Sequence, residues 1–157
     1  MKPRVYLETT IVSYLTARPS RDLILAAHQE VTREWWHGQR EQFGLYVSQF
    51  VLDEAGDGDA TAAAERLKLL KGLPLLPLTD EVRDVATGLL DAGVLPPKAQ
   101  ADGVHIAVAT VHEMDVLLTW NCRHLANGVI LGNVGRHLRS RGYEVPIICT
   151  PEELMGE

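Results

Sequence analysis

The chain has 157 residues, of which 46% are hydrophobic and 23% charged, and its formal net charge is −6. That length supports one domain, 1–157, with its own core, and the composition excludes disorder as the default. The acidic balance weighs against a general polyanion binder, which is usually basic.

Cys122 and Cys149 are the only cysteines, and they lie far apart, so neither a disulfide framework nor a cysteine metal site is spelled out. The opening MKPRVYLETT loses its apolar character at Glu8 after three residues, and no later run reaches bilayer length. A reduced, cytoplasmic protein is expected.

In chain order, Arg4–Leu7 reads as a strand and Thr9–Leu15 as a brief helix ended by the Arg18-Pro19 turn. Ser20 is expected to cap a second helix, with Asp22 in its first turn, that runs to about His37. Leu45–Val47 reads as a strand and Gln49–Ala55 as a short helix stopped at Gly56. Asp57-Gly58-Asp59 is a turn signal, and Ala60–Lys71 is rich in helix formers.

Leu75–Leu78, beside Pro74 and Pro77, belongs at a sheet edge, because proline cannot donate to a central ladder. Thr79 caps a helix to Ala92, Pro96-Pro97 makes a loop, and Ala99–Glu113 is the best helical stretch. Val116–Leu118 is a buried strand, Gly132–Arg141 a helix and Pro146–Cys149 a strand. Thr150-Pro151-Glu152-Glu153 spells a capping box. Strands and helices alternate throughout, which predicts an α/β fold of three layers, α/β/α, with a mostly parallel central sheet.

In such a sheet, chemistry collects beyond the C-terminal strand ends. Glu8, Thr9 and Thr10 follow the first strand; Thr119 and Asn121 follow Val116–Leu118. Asp102 stands near a helix start, where the dipole stabilises a carboxylate whether it faces water or a ligand. Asp102 and His105 share one stripe of that helix. Glu54 ends a largely apolar helical stretch, and reads either as a solvated helix end or as a buried acid that needs a partner, a proton or a metal.

At these residues the sequence resembles the PIN-domain family, which includes the VapC-type toxins of toxin–antitoxin pairs. The resemblance rests on Val5-Tyr6-Leu7-Glu8-Thr9-Thr10, Val51-Leu52-Asp53-Glu54, Ala101-Asp102-Gly103-Val104-His105-Ile106-Ala107 and Leu117-Leu118-Thr119-Trp120-Asn121, in order along nearly the whole chain. It departs from the usual pattern at Glu8 and Asn121, positions where the family commonly has Asp. Glu8 reaches one methylene farther, and Asn121 brings an amide oxygen without negative charge.

The resemblance implies a metal-dependent endoribonuclease acting on single-stranded or structured RNA, with Mg²⁺ or Mn²⁺ as cofactor. Glu8, Glu54, Asp102 and Asn121 would be catalytic, with Glu8, Glu54 and Asp102 on the metal. Thr9, Thr10, Thr119 and His105 would support them, and Arg18 and Arg21 are candidates for RNA contact. It also implies an antitoxin partner and a homodimer, for which the apolar faces of Leu23–Trp36 and Ala60–Leu70 are candidates.

Crowded carboxylates should make the protein gain stability when a divalent cation binds. His105 reads more simply as a hydrogen-bonded structural histidine, and Trp35 and Trp36 as packing residues. Cys122 and His124 lack a second ligand pair for zinc. Two other readings stand beside the nuclease. One is a degenerate PIN module that binds RNA or protein without cutting. The other is a different α/β enzyme for a small phosphorylated substrate, disfavoured because no glycine-rich loop follows the first strand.

Overall fold

A computed structural model describes residues 1–155. Five strands form one sheet: β1 (Arg4–Leu7), β2 (Gly44–Ser48), β3 (Leu75–Leu76), β4 (Val116–Leu118) and β5 (Ile147–Cys149). Their spatial order is β3-β2-β1-β4-β5, and every pair is parallel. Parallel strands are covered on both faces, which is why β1 and β4 are runs of buried apolar residues and not alternating ones.

The helices are α1 (Thr9–Thr16), α2 (Leu23–Gly38), α3 (Gln49–Ala55), α4 (Ala60–Leu70), α5 (Asp80–Asp91), α6 (Gln100–Val111), α7 (Gly128–Ser140) and α8 (Pro151–Leu154). Helix α1 packs against α2, α3 and α4, α8 packs on α2, and α5 lies along α6. The sheet with its flanking helices is the three-layer α/β/α arrangement expected from the sequence and is consistent with a PIN-like fold. No helix among the described residues is long and apolar enough to cross a membrane.

The core is continuous. It joins Val5, Tyr6 and Leu7 of β1 to Leu117 and Leu118 of β4, Ile106 to Ala109 of α6, and Trp35 and Trp36 of α2. Full burial of each large apolar side chain contributes about 1.5–3 kcal/mol.

Three local expectations shift. The N-cap of α2 is Asp22, whose Oδ1 accepts the Leu25 N–H at 2.9 Å, while Ser20 Oγ accepts the Asp22 N–H and braces the turn before it. Helix α7 starts at Gly128, four residues before the expected Gly132. Asn127 Oδ1 accepts the N–H groups of Val129 and Ile130 there, and this cap carries a helix opening rich in glycine. The edge strand β3 is only Leu75–Leu76, because Pro77 has no N–H to continue it.

The order of strands matters for function. The chain leaves β1 toward β2 on one side and returns to its other side at β4. The crevice between β1 and β4, outside their C-terminal ends, is the topological switch point where open α/β sheets place ligands.

Candidate metal centre

Glu8 follows the last residue of β1, and its backbone N–H donates to Leu118 O of β4 at 3.0 Å. The residue is 6% exposed. Its Oε1 accepts hydrogen bonds from the hydroxyls of Thr10 at 2.5 Å and Thr119 at 2.6 Å. Each hydroxyl in turn accepts a backbone N–H, from Trp120 and Asn121 respectively. One carboxylate oxygen therefore ties the ends of two central strands together. Among the described residues, none donates to the other oxygen, Oε2.

Glu54 arrives from α3. That helix begins directly after β2, with Ser48 Oγ accepting the Val51 N–H as its cap. Glu54 Oε1 accepts the Thr9 hydroxyl at 2.5 Å and lies 2.7 Å from His105 Nε2. His105, on α6, is 1% exposed. Its Nδ1 is 2.8 Å from the Tyr6 hydroxyl, which is 2.9 Å from Ser48 Oγ. The rings of Phe50 and Tyr6 pack on the imidazole and fix its plane.

Burial alone would lift the Glu54 carboxyl. The His105 hydrogen bond and charge, together with the Thr9 hydroxyl, outweigh it and hold the group below the usual glutamate range. With Glu54 ionised, Nε2 carries a proton. A neutral ring then accepts from the Tyr6 hydroxyl at Nδ1, and Tyr6 accepts from Ser48. Burial also pushes the Tyr6 hydroxyl far above the ordinary tyrosine value, so it remains a donor.

Asp102 sits in the first turn of α6. Its Oδ1 accepts Asn121 Nδ2 at 2.9 Å, and its Oδ2 lies 3.0 Å from His124 Nδ1. Burial raises the Asp102 carboxyl above the usual aspartate range; His124 and His105 oppose the shift, and the Glu54 charge adds to it. Asn121 Oδ1 is already engaged by the N–H groups of Arg123 and His124, so this side chain shapes the loop after β4 as well as holding Asp102.

Glu8, Glu54 and His105 form a group that could hold a metal ion, each offering one ligand atom with all three atoms within 4.8 Å of one another. A cation with bonds of about 2.1 Å would close that spacing with a small side-chain adjustment. The structure thus gathers Glu8, Glu54 and His105 into one group and sets Asp102, Asn121 and His124 beside it. Thr9, Thr10 and Thr119 donate hydroxyls to the two glutamates. Arg18 and Arg21 are exposed on the turn between α1 and α2, and neither side chain hydrogen-bonds to a described residue.

Sequence reasoning gave Tyr6 and Ser48 no role at the site, and weighed His124 only as a zinc ligand beside Cys122. The signals were thin: one hydroxyl inside an otherwise apolar strand, a serine at a strand-to-helix junction, and a histidine three residues beyond Asn121. Trp120, between Thr119 and Asn121, stacks on His28 at 4.2 Å between ring centroids and on Tyr14 at 5.8 Å. Its indole N–H donates to Thr32 Oγ1, so it anchors the loop against α2.

No protein-family model and no curated protein matches this chain.

Proposed function

We propose that this chain is a metal-dependent endoribonuclease that cleaves single-stranded RNA, a PIN-like protein serving as the cytoplasmic toxin of a type II toxin–antitoxin pair. The observation that carries the reading is the meeting of Glu8 and Glu54 at the switch point of the sheet, with Asp102 and Asn121 alongside. A buried carboxylate, Glu8, and a half-buried one, Glu54, within reach of one another favour a cation between them.

Mg²⁺ or Mn²⁺ at this point, held by Glu8, Glu54 and Asp102, would supply an acidified water and a counter-charge for the scissile phosphate. Glu54 stays ionised and is suited to complete the shell of the cation or to orient the attacking water. Asn121 and His124 keep the Asp102 carboxylate in one orientation, and Thr10 and Thr119 do the same for Glu8. Arg18 and Arg21 are exposed and would meet an RNA backbone. Exposed Leu23 and Ile24 on α2 and Leu67 on α4 suit an apolar partner, either an antitoxin or a second copy of this chain.

The test is incubation of purified protein with single-stranded RNA and Mn²⁺, with chelator and Asp102→Asn as controls. Cleavage that both controls abolish supports the reading. One observation favours a second reading, a PIN-like module that binds RNA or protein without cutting. Both Asp102 oxygens and Glu54 Oε1 already have protein partners. RNA retention without any cleavage by folded, metal-supplemented protein would support that alternative.

A further inference from the structure

We infer that His105 Nε2 is a direct ligand of the cation at this centre, and that the site therefore favours a first-row transition-metal ion over Mg²⁺. The inference rests on the metal-dependent reading above and deepens it by adding a nitrogen donor to an otherwise oxygen-only set.

Three observations carry it. First, Nε2 lies 2.7 Å from Glu54 Oε1, and the same imidazole falls within the 4.8 Å group completed by Glu8. A cation bound there occupies the place of the proton now shared between Glu54 and His105. Second, Glu8 is more than nine-tenths buried, yet every donor to it is on Oε1, so its Oε2 is left for a ligand.

Third, the far side of the ring is prepared for ligation. A metal-bound imidazole donates its other N–H to an oxygen, which fixes the ring and raises its basicity. Tyr6 Oη, 2.8 Å from Nδ1, is that oxygen. When Nδ1 carries the proton, Tyr6 accepts it and turns its own hydroxyl hydrogen to Ser48 Oγ at 2.9 Å. The Ser48–Tyr6–His105 chain thus runs in either direction. Ligation requires only that the proton leave Nε2 and one be taken at Nδ1, with no net change for a neutral ring.

Selectivity follows from donor chemistry. Mg²⁺ is a hard ion that favours oxygen and retains its waters, whereas imidazole suits Fe²⁺, Ni²⁺, Cu²⁺ and Zn²⁺; Mn²⁺, which stands lowest in the transition series, serves as the paramagnetic probe. In an all-carboxylate site the two cations would compete on more equal terms.

The experiment is pulsed electron paramagnetic resonance of Mn²⁺ bound to the full chain, with Mn²⁺ affinity measured in parallel by titration. Wild-type protein and His124→Gln are expected to show ¹⁴N modulation from a coordinated imidazole, and His105→Gln to lose it. Tyr6→Phe, which keeps the core volume, is expected to retain the modulation with Mn²⁺ affinity lowered about 10–100-fold. Mg²⁺ should displace Mn²⁺ from wild type only in large excess, and that excess should shrink in His105→Gln.

Bound Mn²⁺ with no ¹⁴N modulation, or modulation that survives in His105→Gln, would overturn the inference and leave the metal-dependent reading standing. Unchanged affinity in Tyr6→Phe would also count against it, and does not depend on His105→Gln folding. Protein that binds no Mn²⁺ at all would overturn both.

Discussion

Glu54 and His105 are 51 positions apart in sequence, and Glu54 Oε1 stands 2.7 Å from His105 Nε2. The pair joins α3, launched from β2, to α6, which leads into β4. It spans the central strand β1 and takes Tyr6 of that strand as its support.

Tyr6→Phe should therefore destabilise the protein through lost hydrogen bonds and not lost volume. It removes the only described partner of His105 Nδ1 and the side-chain partner of Ser48. Leaving a buried polar group unpaired costs about 1–3 kcal/mol. Urea unfolding should show that loss with an unchanged m-value. A variant as stable as wild type would mean that the imidazole finds another partner.

The two perturbed carboxyls should act oppositely on stability as pH changes. Glu54 has a folded-state value below its unfolded one, so its contribution is present above about pH 4.3 and is lost as pH falls through the folded value. Asp102 is raised, so its contribution is present below about pH 3.9 and is lost as pH rises through its folded value. Glu54→Gln should flatten the acid limb of a melting-temperature profile measured in chelator. Asp102→Asn should steepen the rise of stability with pH on that limb, because an opposing group is gone. The same profile for all three proteins would contradict this assignment.

Asn121→Asp isolates a single charge. The aspartate keeps an oxygen for the Arg123 and His124 N–H groups but faces Asp102 with a second oxygen in place of an N–H donor. Two carboxylates at about 5 Å, with an effective dielectric near 20, repel by about 3 kcal/mol. The variant should melt lower than wild type in chelator and recover with Mn²⁺ to a greater extent than wild type does. Calorimetry with and without the ion measures both. Equal stability in chelator would show that the loop yields to separate the charges.

Gly103 lies in the first part of α6, directly after Asp102. A methyl there would meet Leu95 Cδ1 at 3.4 Å, an ordinary contact, and the glycine does not have a left-handed backbone. Gly103→Ala should stabilise by about 0.4–1 kcal/mol by restricting the unfolded chain. A loss in denaturant midpoint would show that Leu95 cannot give way.

Much of the fold was legible because local chemistry and tertiary demand agree. The bounds of β1, α3 and β4 follow from apolar runs ended by Glu8, Gly56 and Thr119, and the Thr150–Glu153 capping box forms as spelled. Where two caps compete, as at Ser20 and Asp22, the local pattern favoured Ser20 and the structure uses Asp22. At α7 the sequence reading opened the helix at Gly132, and the Asn127 cap carries its start back to Gly128.

The site divides in the same way. Glu8 and Asn121 are visible as the residues that follow strands, since a strand end fixes where its next side chain can go. Whether Glu54 and Asp102 pair with each other or with histidines depends on how α3, α6 and the loop after β4 approach, and no local pattern encodes that distance. The pairing of His124 with Asp102 was missed for this reason. Its partner Asp102 is 22 positions away, on the far side of a strand.

The placement of Glu8 also has a kinetic meaning. Its amide belongs to the ladder between β1, the middle strand of the sheet, and β4, an interior neighbour. Amides there open only with the largest unfolding events, whereas edge strands and helix ends fray at far lower cost. Hydrogen exchange at Glu8 should therefore be among the slowest in the chain. The carboxylate it carries would be carried through partial opening of β3, β5 or the surface helices with its geometry intact.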